Sequence, residues 1–222
     1  MTWLELADGV FARRHADLDL TLGLVLGTER CLLVDTGTDA GHGAEFAEAV
    51  RELTALPWSA VITHGHWDHH LGTSAFGPLP VWAHPATAAE IAHGTAAQVA
   101  EWSAREPFRA ERLARSPVVV PDREVLDRVE LDLGGRVVEL RHLGPGHTPG
   151  DVVVRVPDAG VLFAGDLVEQ GAPPAVGPDA DVASWVGVLG RLGAADVVVP
   201  GHGNPVDRAF VEAQRAELAA RR

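Results

Sequence analysis

Thr63-His64-Gly65-His66-Trp67-Asp68-His69-His70 is the stretch on which the reading of this chain turns. Between His64 and His69 it sets three imidazoles and one carboxylate within six residues, directly after the apolar triplet Ala60-Val61-Ile62. Side chains with such similar lone-pair chemistry rarely crowd together as core, but they make sense when a cation gathers them. Imidazole nitrogen and carboxylate oxygen without thiolate suit zinc or another divalent first-row metal.

Three later residues extend the pattern. His147 lies in the glycine- and proline-rich run Gly144-Pro145-Gly146-His147-Thr148-Pro149-Gly150, Asp166 follows Phe163-Ala164-Gly165, and His202 follows Val199-Pro200-Gly201. Each is expected just past a strand, in a loop with small neighbours. Strand ends of packed sheets converge on one edge, and glycine lets the backbone approach closely. Singly, each has an ordinary reading as a turn histidine or a capping aspartate. Recurring together, they favour one site.

The surrounding chain alternates strand and helix signals. Short apolar runs mark strands at Trp3–Arg13, Leu20–Gly27, Cys31–Asp35, Ala60–Ile62 and Val81–Ala83. Further strands are expected at Val118–Val120, Val129–Leu133, Arg136–Leu140, Asp151–Val156, Val161–Ala164 and Asp196–Val199, with Gly134-Gly135 as a hairpin turn. Helical spacing appears at Ala44–Leu56, through the Ala- and Arg-rich Ala86–Arg115 with a break at Pro107, at Trp185, Val188, Leu189 and Leu192, and over Pro205–Arg222. This order predicts an α+β fold with two sheets face to face and helices outside. No linker is visible, so residues 1–222 are read as a single domain with a helical insertion at about 85–116.

Composition narrows the function. With 18 Lys+Arg against 31 Asp+Glu, the formal charge of −13 argues against a phosphate-backbone partner. All the cations are arginine, so Schiff-base and lysine-nucleophile mechanisms are absent, and with no tyrosine there is no phenolic general acid. The one cysteine, Cys31, forms no intrachain disulfide and reads as a buried strand residue. No bilayer-length apolar run is present, and Met1–Glu5 lacks a secretory leader pattern, which gives an expectation of a cytoplasmic protein with no membrane partner.

The His-x-His-x-Asp-His run, the Gly-His-Thr-Pro-Gly-Asp loop, the Gly-Asp at 165–166 and the Pro-Gly-His-Gly at 200–203 together resemble the metallo-β-lactamase fold hydrolases, with a ligand set like that of glyoxalase II. The resemblance runs from Leu32-Leu33-Val34-Asp35-Thr36-Gly37 to His202. It implies an αββα sandwich of two mixed sheets with a binuclear site on one edge. Carried over by position, His64, His66 and His147 would hold one divalent cation, Asp68, His69 and His202 a second, and Asp166 would bridge them. Zinc is the expected metal, with iron or manganese as options. Asp35 and Thr148 are candidate acceptors for the N–H groups of ligand histidines.

Such a site implies a hydrolase of an ester, thioester or lactone, in which a metal-bridging hydroxide attacks a carbonyl and Asp68 orients it and takes up a proton. The short stretch after His202 leaves little room for a glutathione-binding helical region. Asp166 departs from the pattern of true metallo-β-lactamases, and the lactone hydrolases' catalytic tyrosine has no counterpart. A mononuclear iron oxidoreductase of the persulfide-dioxygenase type and an inactive metal-binding module are the alternatives. The expected partner is a small-molecule substrate met by Trp67, His70, Trp102 and Phe108. A homodimer is compatible with the sequence, which does not fix the oligomeric state.

Overall fold

The computed structural model describes residues 3–221. Its elements are β1 (Leu4–Ala7), β2 (Val10–Arg14), β3 (Thr21–Leu26), β4 (Cys31–Val34), α1 (Ala40–Leu53), β5 (Trp58–Val61), α2 (Trp67–His70), β6 (Val81–Ala83), α3 (Pro85–His93), α4 (Thr95–Arg105) and α5 (Ala110–Ala114). They continue as β7 (Arg123–Glu124), β8 (Arg128–Asp132), β9 (Val137–His142), β10 (Val152–Val156), β11 (Val161–Glu169), α6 (Val182–Gly190), β12 (Val197–His202) and α7 (Arg208–Ala220). Seven strands, β1 to β7 in order, make one sheet; five, in the order β12-β11-β10-β9-β8, make the other. Both are mixed: β4 pairs parallel with β5, and β11 parallel with β12, on sheets otherwise begun by antiparallel hairpins.

Period-two alternation places the layers. In β4, Leu32 and Val34 point between the sheets while Cys31 and Leu33 point outward under α1. In β10, Val152 and Val154 face the same inter-sheet core and Val153 faces α6 and α7. Strands buried on both faces read as continuous apolar runs, as Cys31–Val34 and Val152–Val154 do. Helix α1 starts where the Asp39 carboxylate accepts from the Gly41 and His42 N–H groups, and it buries Phe46, Ala47 and Val50 on the outside of the larger sheet. Asp181 and Asp207 cap α6 and α7 in the same way on the other side. Gly23 on β3 faces Phe163 on β11, and a Cβ there would lie 2.5 Å from the ring, so the sheets come together at that point only because the side chain is missing.

Several boundaries differ from expectation. The Trp3–Arg13 run is split into two strands by a turn at Asp8-Gly9. Helix α1 begins at Ala40, because the cap is Asp39 rather than a later residue. Val118–Val120 is not a strand: Val118 and Val120 are exposed, prolines flank the run at 117 and 121, and β6 takes its partner from Arg123–Glu124. The last helix starts at Arg208, after the Asp207 cap; Arg222, at its expected end, and Met1-Thr2 lie outside the described residues. Asp166 lies inside β11, not beyond it, beside a register irregularity between Phe163 and Gly165. Among the described residues, no helix is long and apolar enough to cross a membrane.

Candidate metal centre

The edge shared by the two sheets carries the site. His64 and His66 follow β5, Asp68 and His69 sit on the single turn α2, His147 is in the β9–β10 loop, Asp166 is in β11, and His202 ends β12. The seven divide into two groups of donor atoms, each within 4.8 Å: His64, His66, His147 and Asp166 in one, Asp68, His69 and His202 in the other. Asp166 stands between them. Its Oδ2 is 3.7 Å from His64 Nε2, 3.6 Å from His147 Nε2 and 3.4 Å from His202 Nε2, and its Oδ1 is 3.2 Å from His69 Nε2. Gly201 makes this possible, since a Cβ there would fall 1.9 Å from Asp166 Oδ1.

What each imidazole does with its other nitrogen decides whether the cluster fits a cation. His69 Nδ1 donates to Asp35 Oδ2 at 2.8 Å, His202 Nδ1 to the Leu18 carbonyl at 2.8 Å, and His147 Nδ1 to the Ala175 carbonyl at 3.0 Å. His66 Nε2 donates to Asp179 Oδ2 at 3.2 Å. The Thr63 hydroxyl donates to Asp35 Oδ2, so at 3.1 Å it accepts from His64 Nδ1. These assignments follow from the hydrogen-bond network. With the outward nitrogens engaged as donors, the inward ones, His64 Nε2, His66 Nδ1, His147 Nε2, His69 Nε2 and His202 Nε2, each have a lone pair to offer a cation once any proton there is given up. Yet His147 Nε2 is 3.0 Å from His66 Nδ1, His64 Nε2 is 3.1 Å from the same atom, and His69 Nε2 is 3.3 Å from His202 Nε2. In the first group these are lone pairs facing one another, and in the second they are nitrogens drawn to protons by Asp166 and Asp68; either way like faces like, and the contacts repel. A divalent cation in each group turns the repulsion into coordination, and it also gives a partner to the buried Asp166 Oδ1, which otherwise has no hydrogen bond. The donor set therefore fits metal.

Charge distinguishes the two groups. Burial, then the neighbouring His69, hold His64 well below the ordinary imidazole range, and burial takes His147 down to about 4. Burial also acts against the charged form of His202, but Asp166 and Asp68 outweigh it and push the imidazole up to about 12. His69 is raised by Asp166, Asp35 and Asp68 against the same burial. Burial acts to raise Asp68, but His69 and His202 prevail and hold it ionised. Protons and a cation compete for the His69 and His202 nitrogens, so metal uptake there releases protons.

Asp35 is the acceptor expected for a cluster histidine. It has a left-handed backbone, φ 60°, and binds the Thr63 N–H, the Thr63 hydroxyl and His69. Thr148 does not play that part: its hydroxyl donates to Asp151 Oδ1 at 2.7 Å, which shapes the His147 loop instead. Burial pushes the Asp151 carboxyl up to about 7 against these bonds. Sequence reasoning missed Asp179 and Glu169. Asp179 sits in a loop with no motif around it, and Glu169 lies with Asp166 and His202 in a third set of close donors. Glu169 could have been found, three residues after Asp166 on the same strand. Trp67 and Trp102 pack ring against ring, centroids 5.4 Å apart, with Leu71 and Leu113. His70 is buried, its Nε2 3.3 Å from the Thr95 hydroxyl, whereas Phe108 is 72% exposed.

The chain belongs to the metallo-beta-lactamase superfamily, whose sequence model matches residues 21–202, and it is a metal-dependent hydrolase. Its relatives within that family differ in substrate. It is 30% identical over 226 residues to the acyl-coenzyme A thioesterase MBLAC2 of Bos taurus, covering 90% of this chain and 80% of that one. It is 29% identical over 197 residues to the metallo-beta-lactamase type 2 of Bacillus cereus, covering 85% and 69%. The metallo-beta-lactamase from Pontibacter korlensis shares the fold, with a TM-score of 0.74 at 24% identity over 98% of both chains.

Proposed function

We propose that this chain hydrolyses an acyl thioester at a site for two divalent cations, with zinc as the native metal. His64, His66 and His147 would hold the first, Asp68, His69 and His202 the second, and Asp166 would reach both. The observation that carries the reading is the set of five imidazoles whose outward nitrogens are all engaged as donors, so that five inward nitrogens converge beside Asp166. Bound there, divalent cations supply a Lewis acid for the acyl carbonyl and a water acidified toward neutrality. Asp68, kept ionised by His69 and His202, is the proton acceptor of the site and orients the attacking water. Asp35, Leu18, Ala175 and Asp179 fix the imidazole planes, so no ligand has to reorient during turnover. Phe108, exposed on the helical segment, would meet a bound acyl group, while Trp67 and Trp102 pack in the apolar cluster of Leu71 and Leu113 and His70 is buried against Thr95. The thioester class rests on the MBLAC2 relative, which this chain matches over most of both lengths.

The test pairs metal analysis with a panel of acyl thioesters, simple esters, lactones and β-lactams. Two zinc ions per chain and preferred turnover of thioesters are expected. One iron with oxygen uptake would replace the reading by the persulfide-dioxygenase type, and a metal-loaded protein that turns over β-lactams alone would refute the substrate class. Asp166→Ala should lose the second cation and most turnover; full activity with two bound metals in that variant would remove Asp166 from its bridging role.

A further inference from the structure

The β2–β3 hairpin closes through Leu18 and Asp19, both in the left-handed region, φ 58° and 59°. Neither is glycine or asparagine, and two consecutive residues of this kind are held only when their surroundings over-determine them. The turn has a task at the centre: the Leu18 carbonyl is the acceptor for His202 Nδ1. The next carbonyl, of Asp19, accepts from the Gly203 N–H at 2.8 Å, and the Thr21 hydroxyl donates to the Gly203 carbonyl at 2.7 Å. His202 is thus aimed by a strained turn of the other sheet, which lies directly against the end of β12.

Arg14 of β2 holds the Asp19 carboxylate from within the hairpin, and the other side of the turn is held from the helical segment between β6 and β7, where Arg112 also reaches Asp17. Arg109 is only 4% exposed, and its guanidinium grips Asp17 with both terminal nitrogens, each at 2.5 Å. A third bond, from Nε to Glu106, fixes the fork, and the group lies 5.9 Å from the centroid of Trp67. Leu18 itself packs into the small apolar cluster of Trp67, Leu71 and Leu113. Planar bidentate geometry is specific to arginine.

We propose that Arg109 is a positioning residue for the second cation: through Asp17 and the Leu18–Asp19 turn it fixes the plane and tautomer of His202. Its partners are Asp17, Glu106, Trp67 and Phe108, none of them a donor of either group. The inference rests on the two-cation reading above. Removing the clamp lets the turn relax, swings the Leu18 carbonyl away and frees His202 Nδ1, so the second group loses one preset ligand while the first keeps all of its own.

The experiment is zinc binding by competition with a chromophoric chelator, on the full chain, for wild type, Arg109→Leu and the milder Asp17→Asn. Histidine-selective nitrogen-15 spectra are recorded in parallel to report tautomers. Outer partners of metal-bound histidines are worth roughly ten- to a hundredfold in affinity. The expected result is a loss of that size in the weaker variant's second binding step only, with the His202 tautomer mixed and those of His64 and His147 unchanged. Wild-type affinity in both steps would overturn the proposal. So would equal weakening of both steps, which would give the clamp a merely structural role; Asp17→Asn, which keeps the side-chain shape, separates this from misfolding. If wild type itself bound no zinc, the two-cation reading would fall first, and that result differs from either of these.

Discussion

Asp35→Asn inverts the polarity of the site without changing its shape. Asp35 accepts from three donors: the Thr63 N–H at 2.7 Å, the Thr63 hydroxyl at 2.8 Å and His69 Nδ1 at 2.8 Å. Asparagine tolerates the left-handed backbone that Asp35 adopts, so the substitution adds no backbone strain. Its amide oxygen still serves the Thr63 N–H, but its NH2 replaces Oδ2. That NH2 opposes the His69 N–H, and the imidazole answers by moving its proton to Nε2, into the centre. The same NH2 donates to the Thr63 hydroxyl, which then turns its own proton toward His64 Nδ1, and His64 also becomes Nε2–H. One imidazole in each group thus presents a proton where a lone pair is required. At ten- to a hundredfold per outer partner, each binding step weakens by about 1.4 to 2.8 kcal/mol. Zinc competition with a chelator measures both steps, and nitrogen-15 spectra identify the tautomers. Two zinc ions bound as tightly as in wild type, or unchanged His64 and His69 tautomers, would refute the reasoning.

Other outcomes follow from packing and protonation. Gly23→Ala sets a methyl 2.5 Å from the Phe163 ring; overpacking of this kind costs about 1 to 3 kcal/mol, lowering the melting temperature by several degrees, and Phe163→Leu in the same chain should recover part of it. No change in melting would mean that the sheets slide freely there. His42 is buried on α1 with its ring 3.6 Å from that of His15, and burial and then His15 lower it to about 4, while Nδ1 accepts the Thr38 N–H. The unfolded chain therefore binds this proton first, so stability declines as pH falls from about 6.5 to about 4, by at most about 3 kcal/mol. Denaturant titrations of wild type and His42→Gln check this: the variant's profile should be flatter in that window, and parallel profiles would exclude His42 as the source.

The sheet layers were legible because both-sided burial writes itself as unbroken apolar runs, and the cluster because its histidines and aspartates stand in short motifs between or at the ends of those runs, His147 in a glycine- and proline-rich loop. The strand assignment failed where pattern and partner separate: Val118 and Val120 have strand composition but no neighbour to pair with. Asp166 was found by its motif and misplaced by its neighbourhood, since a strand carrying a register irregularity continues past Gly165 to Glu169. The acceptors that orient the imidazoles were mostly invisible. Two of them are main-chain carbonyls, of Leu18 and Ala175, and a carbonyl leaves no mark on the identity of its own residue. Asp35 was visible because its side chain does the accepting.

Helix α2 is one turn long and all four of its residues are buried. So short a coil has no persistence of its own in water; it exists because Thr36 donates to the His69 carbonyl with both its N–H and its hydroxyl. Asp68 and His69 therefore keep their bearing only while the chain just past β4 stays docked against them, so the direction of both side chains is borrowed from the larger sheet and not from the coil that carries them.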